Sequence, residues 1–169
     1  MNKLEIATFG AGCFWGAEEL FRQIKGVKET AVGYMGGDME DPTYEAVCTN
    51  RTGHVEVIQV TFDPKETTYE KILGVFWMAH NPLQADGQGH DMGSQYRPVI
   101  FYYSEEQKKI AEKSKDKLNK EKFSGKIATV IEPAQEFYKA EEYHQKYLLK
   151  NPGGYCHINV KEILQKIKK

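Results

Sequence analysis

The most constraining feature of this sequence is its N-terminal segment, which combines an apolar strand, a glycine-rich turn and an amphipathic helix. Residues 4–9 are apolar enough for a strand, and the small residues 10–12 allow the backbone to turn sharply. Gly26 marks the end of the helix that follows. The helix itself is predicted from apolar residues at helical spacing, which are Ala17, Leu20, Phe21 and Ile24.

Cys13 lies where this turn meets the helix. Unpaired N–H groups and the positive end of the helix dipole favour a thiolate over a thiol at such a position, so we expect Cys13 to be a nucleophile. The alternative is a buried structural cysteine, which is the common role of a lone cysteine. The flanking glycines, Gly12 and Gly16, and the aromatic pair Phe14 and Trp15 favour the chemical role.

A carboxylate interrupts the strand predicted for residues 54–62. Alternation places Glu56 on the same side as Ile58 and Phe62, whereas Val57 points to the other side. A carboxylate on an apolar face is costly unless it is protonated or paired. The residues alone leave two interpretations, an unusual carboxyl in an apolar site or a residue at the frayed end of an edge strand in water.

The remaining pattern alternates helices and strands. Helices are predicted to begin near Thr67, Ser104 and Asn159, since each is followed three residues later by Glu or Gln. We also expect strands at residues 27–34, 99–103 and 127–131, and a helix at residues 139–149 with Tyr143, Tyr147 and Leu148 facing inward. This order predicts a single α+β domain over residues 1–169, a two-layer sandwich with a mixed sheet and a ferredoxin-like split β-α-β core.

Composition excludes several classes of function. The formal net charge is −1 with both signs interspersed, so a nucleic-acid partner is not indicated. No stretch is apolar enough to span a membrane, and the N-terminus lacks a secretory signature, so we expect a cytoplasmic protein. The cysteines Cys13, Cys48 and Cys156 are too few for a disulfide scaffold and form no zinc motif, so we expect no metal.

Motifs distributed along nearly the whole chain resemble those of the A-type peptide-methionine sulfoxide reductases, the family that acts on the S epimer. A single motif of this kind would be weak, but their occurrence in order makes the resemblance specific. The matching segments are Gly12-Cys13-Phe14-Trp15-Gly16, Gly33-Tyr34 with Gly36-Gly37, Pro42-Thr43-Tyr44, Thr52-Gly53-His54 with Glu56, Asp91 with Gly93 and Gln95-Tyr96-Arg97, and Tyr143-His144-Gln145 with Gly154-Tyr155-Cys156.

The resemblance implies a role for each residue of a catalytic set. Cys13 matches the nucleophile, and Glu56 matches a carboxylic acid held protonated in an apolar site. Tyr44 and Tyr96 match phenols that hydrogen-bond the sulfoxide oxygen. Asp91 matches a residue that helps to hold the water and substrate network. The implied reaction leaves a sulfenic acid on Cys13.

The resemblance also implies how substrate is held and how the enzyme is recycled. Phe14 and Trp15 match an aromatic wall for the methyl group, and Cys156, in the C-terminal segment 151–169, matches the resolving cysteine. Cys48 matches a structural cysteine, which we expect to be buried. Thioredoxin or another dithiol would reduce the disulfide, with no other cofactor, in a monomeric protein. The substrates implied are oxidised proteins and free methionine sulfoxide.

Two other classes would also use an activated cysteine. A thiol peroxidase needs a nucleophilic cysteine and a resolving one, but neither an aromatic pocket for a methyl group nor a neutral carboxylic acid. A non-enzymatic redox switch would form the disulfide between Cys13 and Cys156 under oxidant without turning over any sulfoxide.

Overall fold

A six-stranded mixed sheet forms the centre of the structure, a computed structural model that describes residues 3–167. Its strands lie in the order β7-β6-β1-β3-β2-β8, and β4 pairs with β5 in a separate hairpin. Neighbouring strands of the large sheet are antiparallel except β6 and β7, which are parallel. The predicted α+β class with a mixed sheet is therefore confirmed. The strands are β1 (Glu5–Gly10), β2 (Val27–Met35), β3 (Val55–Phe62), β4 (Gly87–Gln88), β5 (Asp91–Met92), β6 (Val99–Tyr102), β7 (Val130–Pro133) and β8 (Tyr138–Lys139).

Several helices begin where the sequence places polar capping residues. Thr68, Ser104 and Asn159 each accept a hydrogen bond from the backbone N–H three residues later, at 3.1 to 3.2 Å. The first of these caps is one residue later than predicted. Short 3₁₀ turns occupy Ser94–Tyr96 and Glu142–His144. The helices are α1 (Phe14–Phe21), α2 (Tyr44–Cys48), α3 (Tyr69–Met78), α4 (Glu105–Leu118), α5 (Tyr147–Lys150) and α6 (Val160–Ile167).

The main core lies between one face of the sheet and the helices. Phe9 and Ile58 from the sheet join residues from α1, α3, α4 and α6, such as Leu20, Phe76 and Ile163. The opposite face carries a smaller cluster around Val57 and neighbouring strands, covered by residues of the segment between β7 and β8. Ile163 lies in the C-terminal segment, so part of that segment is packed into the same core as the rest of the chain.

Two predicted elements are wrong in place or type. The strand expected at residues 127–131 lies at Val130–Pro133, where its parallel register with β6 pairs Val130 with Val99. The helix expected at residues 139–149 is instead a short strand, a 3₁₀ turn and the short helix α5, and Tyr143 is 57% exposed. Hydrogen bonds from this segment to β2 replace those of a helix, because the Gln145 side chain binds both the N–H and the carbonyl of Val32.

The register of the central strands positions the site. β3 lies between β1 and β2, and Phe9 of β1 pairs with Ile58 of β3. Glu56, which pairs with Tyr34 of β2, therefore lies just beyond the end of β1, beside the turn that leads to Cys13. Its position in a central strand excludes the frayed edge strand, and it is 1% exposed.

Candidate active site

Cys13 occupies the N-cap position of α1, directly after a turn that only glycine fits well. Gly12 has a φ of +86°, and a Cβ at this position would lie 2.8 Å from the Cβ of Gln88 and 2.9 Å from Nε2 of His157. Because L-residues with side chains rarely adopt this backbone conformation, the turn requires glycine. The turn places the Cys13 sulfur at the N-terminal end of the helix, in a site where the residue is 7% exposed.

The protonation state of Cys13 differs from the sequence expectation. Burial raises the pKa of the thiol above its ordinary value, and the charges of Glu56 and Asp91 act in the same direction. The Trp15 backbone N–H lowers the pKa but does not compensate. The prediction that the helix N-terminus favours the thiolate in the resting protein is therefore wrong, because desolvation of the buried sulfur exceeds the effect of the helix end.

Glu56 is enclosed and hydrogen-bonded through both carboxyl oxygens. Oε1 accepts from the Phe14 backbone N–H at 3.2 Å, and Oε2 accepts from Nε2 of Gln95 at 2.7 Å. Burial raises the pKa of Glu56 to about 8, and the two hydrogen bonds only partly oppose that rise. The carboxyl is therefore mostly protonated at neutral pH. Its contact with the residue that follows Cys13 places a proton donor beside the nucleophile.

Two tyrosines lie beside this carboxyl. Tyr44 begins α2, and Tyr96 ends the 3₁₀ turn that precedes β6. Burial is the main cause that raises the pKa of each phenol, and the charge of Glu56 is the second. Each phenol also shifts the pKa of the other. Both phenols therefore stay protonated and available as hydrogen-bond donors.

Asp91 lies at the edge of the site, on the small hairpin. Its Oδ2 accepts a hydrogen bond from the phenol of Tyr155 at 3.1 Å, which connects the hairpin to the C-terminal segment. Its negative charge helps to raise the pKa of both Cys13 and Glu56. Asp91 is thus brought close enough to influence the two central groups, although no direct hydrogen bond joins it to either.

Phe14 and Trp15 differ in how they face the site. The Phe14 ring is 1% exposed and packs against Tyr34 and His144. The Trp15 ring is partly exposed and stacks on Tyr147, with centroids 3.8 Å apart. Its indole N–H donates to Nδ1 of His144 at 3.0 Å, which fixes the orientation of the ring. Trp15 is the member of the pair with surface available to a ligand.

Cys156 lies against the first turn of α1. A Cβ on Gly16 would lie only 2.9 Å from its sulfur, so the absence of a side chain at Gly16 makes room for this thiol. The thiol donates a hydrogen bond to the Ile158 carbonyl at 3.1 Å, and burial raises its pKa. All three cysteines are unbridged. The structure therefore brings Cys156 onto the helix turn that Cys13 caps, in the reduced state.

Comparison with known proteins decides the family. The family described as "Peptide methionine sulfoxide reductase" matches residues 5–169. The chain belongs to the peptide methionine sulfoxide reductase family. It is 54% identical over 159 residues to the peptide methionine sulfoxide reductase MsrA of Methanothermobacter thermautotrophicus, with 94% of each sequence covered. As a peptide methionine sulfoxide reductase of the A type, it is an oxidoreductase.

Solved structures of a yeast protein, Mxr1, share this fold. Reduced Mxr1 from Saccharomyces cerevisiae is 39% identical, with a TM-score of 0.87, and the match covers 92% of this chain and 90% of that one. Mxr1 in a complex with Trx2 is matched at 29% identity and a TM-score of 0.61, covering 86% and 85%.

The position of Cys48 in this reductase differs from the prediction. We expected it to be buried, but it is exposed at the end of α2, because this five-residue helix ends facing solvent. Its sulfur accepts a hydrogen bond at 3.4 Å from Nε2 of Gln95, the same amide group that binds Glu56. Cys48 therefore lies closer to the active site than its expected structural role suggested.

Three residues that hold the reductase site together were not predicted from the sequence. Gln95 belongs to a motif that resembles the family's, but the sequence indicated no role for it. Glu141 accepts from the phenol of Tyr34 at 2.9 Å and from the backbone N–H of Tyr44 at 3.0 Å, so it connects β2 to α2. His144 supports the Trp15 indole. The motif containing His144 could have indicated that residue, but no local pattern indicated Glu141.

Neither a membrane span nor a metal cluster is found in residues 3–167. None of the helices in this range combines the length and apolar character needed to cross a bilayer. The described residues also include no group of three or more His, Cys, Asp or Glu side chains arranged to hold a metal ion.

Proposed function

We propose that this protein reduces the S epimer of methionine sulfoxide, in proteins and as the free amino acid, to methionine. The observation that carries the proposal is the placement of a protonated carboxyl, Glu56 with a pKa of about 8, beside the residue that caps α1, Cys13. Reduction of a sulfoxide by a thiol requires a nucleophile and a proton donor at the same site.

In the first step, the Cys13 sulfur attacks the sulfoxide sulfur while Glu56 gives its proton to the oxygen. The attack forms a transient bond between the two sulfur atoms. The oxygen then moves to the Cys13 sulfur, so that a sulfur–oxygen bond forms on Cys13 while the methionine sulfur–oxygen bond and the sulfur–sulfur bond break, which leaves methionine and a sulfenic acid on Cys13. The thiol proton of Cys13 replaces the one that Glu56 gave. Two electrons pass from the cysteine sulfur to the methionine sulfur, so the step is balanced without another reagent.

The neighbouring side chains support this step. Tyr44 and Tyr96 carry raised phenol pKa values, so they donate hydrogen bonds to the oxygen as negative charge develops on it. Trp15, next to the buried Phe14 in the chain, forms the apolar wall for the substrate methyl group. Asp91 holds the water network at the edge of the pocket, where its carboxylate accepts a hydrogen bond from the Tyr155 phenol.

In the second step, Cys156 attacks the sulfenic sulfur of Cys13, and the oxygen leaves as water. The contact of the Cys156 sulfur with Gly16, one turn from Cys13, supports this pairing. Thioredoxin then reduces the disulfide, a proposal supported by the complex of yeast Mxr1 with Trx2. We expect a monomer that works without a metal or organic cofactor in a reducing compartment such as the cytoplasm.

The deciding experiment compares the separated S and R epimers of methionine sulfoxide with thioredoxin, thioredoxin reductase and NADPH. We expect methionine from the S epimer and none from the R epimer, measured by chromatography. Reduction of hydrogen peroxide without turnover of either epimer would identify a thiol peroxidase instead. Disulfide formation without any turnover would identify a redox switch.

Substitution of the resolving cysteine separates the two steps. Cys156→Ser is expected to form one equivalent of methionine, with sulfenic acid trapped on Cys13, and then to stop cycling with thioredoxin, because a serine hydroxyl cannot form the disulfide. The methionine yield per enzyme measures the single turnover. Dimedone labelling followed by mass spectrometry measures the sulfenic acid trapped on Cys13. If the variant cycled normally, another thiol, for which Cys48 is the candidate, would be the resolving one.

A further inference from the structure

His157 follows the resolving cysteine and has one ring nitrogen without a partner. Its Nε2 lies 2.8 Å from the Ala11 carbonyl, which accepts only from a protonated nitrogen. Nε2 therefore carries the proton, and Nδ1 has a free lone pair. Nδ1 is buried and makes no hydrogen bond within the part of the chain that the structure describes. A buried acceptor without a donor is uncommon and calls for an explanation.

The free nitrogen and the Cys156 sulfur lie against the same residue of α1. A Cβ on Gly16 would lie 2.9 Å from the sulfur and 3.5 Å from Nδ1 of His157. Because Gly16 has no side chain, the two groups share this space. In the resting structure the Cys156 thiol donates to the Ile158 carbonyl, with sulfur and oxygen 3.1 Å apart, so the thiol must rotate before its hydrogen can reach the ring.

Cys156 needs a base to act as a nucleophile. Burial raises the pKa of its thiol above the ordinary value, so only a small fraction of it is ionised at pH 7. The thiolate is the nucleophile in disulfide formation. Without a base, the second step would depend on this small fraction.

We propose that His157 is the general base for the second step, taking the proton of Cys156 on Nδ1 as its sulfur attacks the sulfenic sulfur of Cys13. The sulfur–sulfur bond forms and the sulfur–oxygen bond breaks, and the oxygen leaves as water with a proton from Glu56. Solvent then returns a proton to Glu56 and removes one from His157. The inference rests on the proposed function, because it assumes a sulfenic acid on Cys13.

The surroundings keep His157 neutral in the resting protein. Burial lowers the pKa of His157, and the contact with the Ala11 carbonyl and the charge of Asp91 oppose this only in part. Two further titratable groups lie near the ring, Cys156 on its own segment and His80 just beyond the end of α3. His80 is itself kept neutral by burial, which lowers its pKa to about 4. The free nitrogen is therefore basic and unprotonated near neutral pH.

The test uses His157→Gln, which keeps a donor for the Ala11 carbonyl but removes the basic nitrogen. The enzyme is mixed with one equivalent of the S epimer without reductant and quenched at intervals. Methionine formation reports the first step, and the disulfide, measured by mass spectrometry after alkylation, reports the second. We expect an unchanged first step and a second step about 10²-fold slower at pH 7. His90→Gln, at an exposed histidine of the hairpin, is the matched control and should leave both steps unchanged.

The pH dependence distinguishes a base from a merely structural residue. In the variant the second step depends on the thiolate, so the ratio of wild-type to variant rates should fall tenfold per pH unit between pH 6.5 and 8. A ratio that is high but constant would mean that His157 only positions Cys156, and equal rates would mean that it does nothing. If the variant does not fold, the rate of disulfide formation in the wild type tests the proposal. A rate that rises tenfold per pH unit between pH 6.5 and 8 would exclude a general base.

Failure of the proposed function gives a different result. Wild-type protein would then form no methionine from either epimer. The sulfenic acid can still be generated on Cys13 with hydrogen peroxide. The same comparison of disulfide formation in wild type and His157→Gln then confirms or overturns the role of His157 independently of the sulfoxide.

Discussion

Cys13→Ser is expected to abolish formation of methionine, even in a single turnover with a large excess of dithiothreitol. A serine hydroxyl does not ionise near neutral pH and is a far weaker nucleophile toward sulfur than a thiol. Neither of the other two cysteines can replace Cys13, because only Cys13 occupies the N-cap position of α1, next to the residue that Glu56 binds. Methionine formed per enzyme from the S epimer measures the result.

The folded state of this variant should be unaffected, which makes the result interpretable. Cys13 occupies an N-cap position and makes no capping hydrogen bond through its side chain. Serine is a preferred N-cap residue, worth about 1 kcal/mol over a poor one, so α1 is expected to be retained or slightly stabilised. Thermal unfolding followed by circular dichroism checks this. Cys48→Ser is the control for loss of a thiol near the site, and appreciable turnover by Cys13→Ser would remove Cys13 as the nucleophile.

The parts of the fold that the sequence predicted well depend on local physics. The turn at residues 10–12 needs small residues for its own backbone conformation. The cap at Ser104 accepts a hydrogen bond from a backbone N–H three residues away. The side of the strand on which Glu56 lies also follows from alternation alone. Its protonation, in contrast, was implied by the family resemblance and gains support from the burial that the central position of β3 produces.

The parts that were wrong depend on contacts distant in sequence. Residues 139–149 have helical spacing of apolar side chains, but Gln145 and Glu141 make hydrogen bonds to β2 and α2 that a helix would not allow. The thiol of Cys13 was expected to ionise because of its position at the helix N-terminus. The depth of its burial, which raises its pKa, is not visible in the sequence. Cys48 was expected to be buried because it matches a structural cysteine in the family resemblance, and its exposure follows from its place at the end of α2.

Glu56→Gln is expected to slow the first step about 10²- to 10⁴-fold at neutral pH, with much less effect on substrate binding. A glutamine amide can donate a hydrogen bond to the sulfoxide oxygen, but it cannot transfer a proton to it. Glutamine can also keep acceptor contacts with the Phe14 N–H, so the local structure should be retained. Single-turnover rates at several substrate concentrations separate the chemical step from binding.

The pH dependence follows from the sign of the pKa shift. Glu56 acts in its protonated form, and burial raises its pKa to about 8, so the acid is present below pH 8 and is lost above it. Ionisation of Cys13 changes the rate in the opposite direction, but it affects wild type and variant alike. The ratio of wild-type to Glu56→Gln rates should therefore be constant below pH 8 and fall about tenfold per unit above it.

A second buried carboxyl provides the matched control. Glu18, in α1, is 1% exposed and accepts a hydrogen bond from the Thr30 hydroxyl, away from the Cys13 end of the helix. The ratio of wild-type to Glu18→Gln rates should be independent of pH. If the ratio for Glu56→Gln were also independent of pH and close to one, Glu56 would be a structural residue. The proton would then have to come from a phenol, and Tyr44→Phe and Tyr96→Phe, measured in the same way, would show which one supplies it.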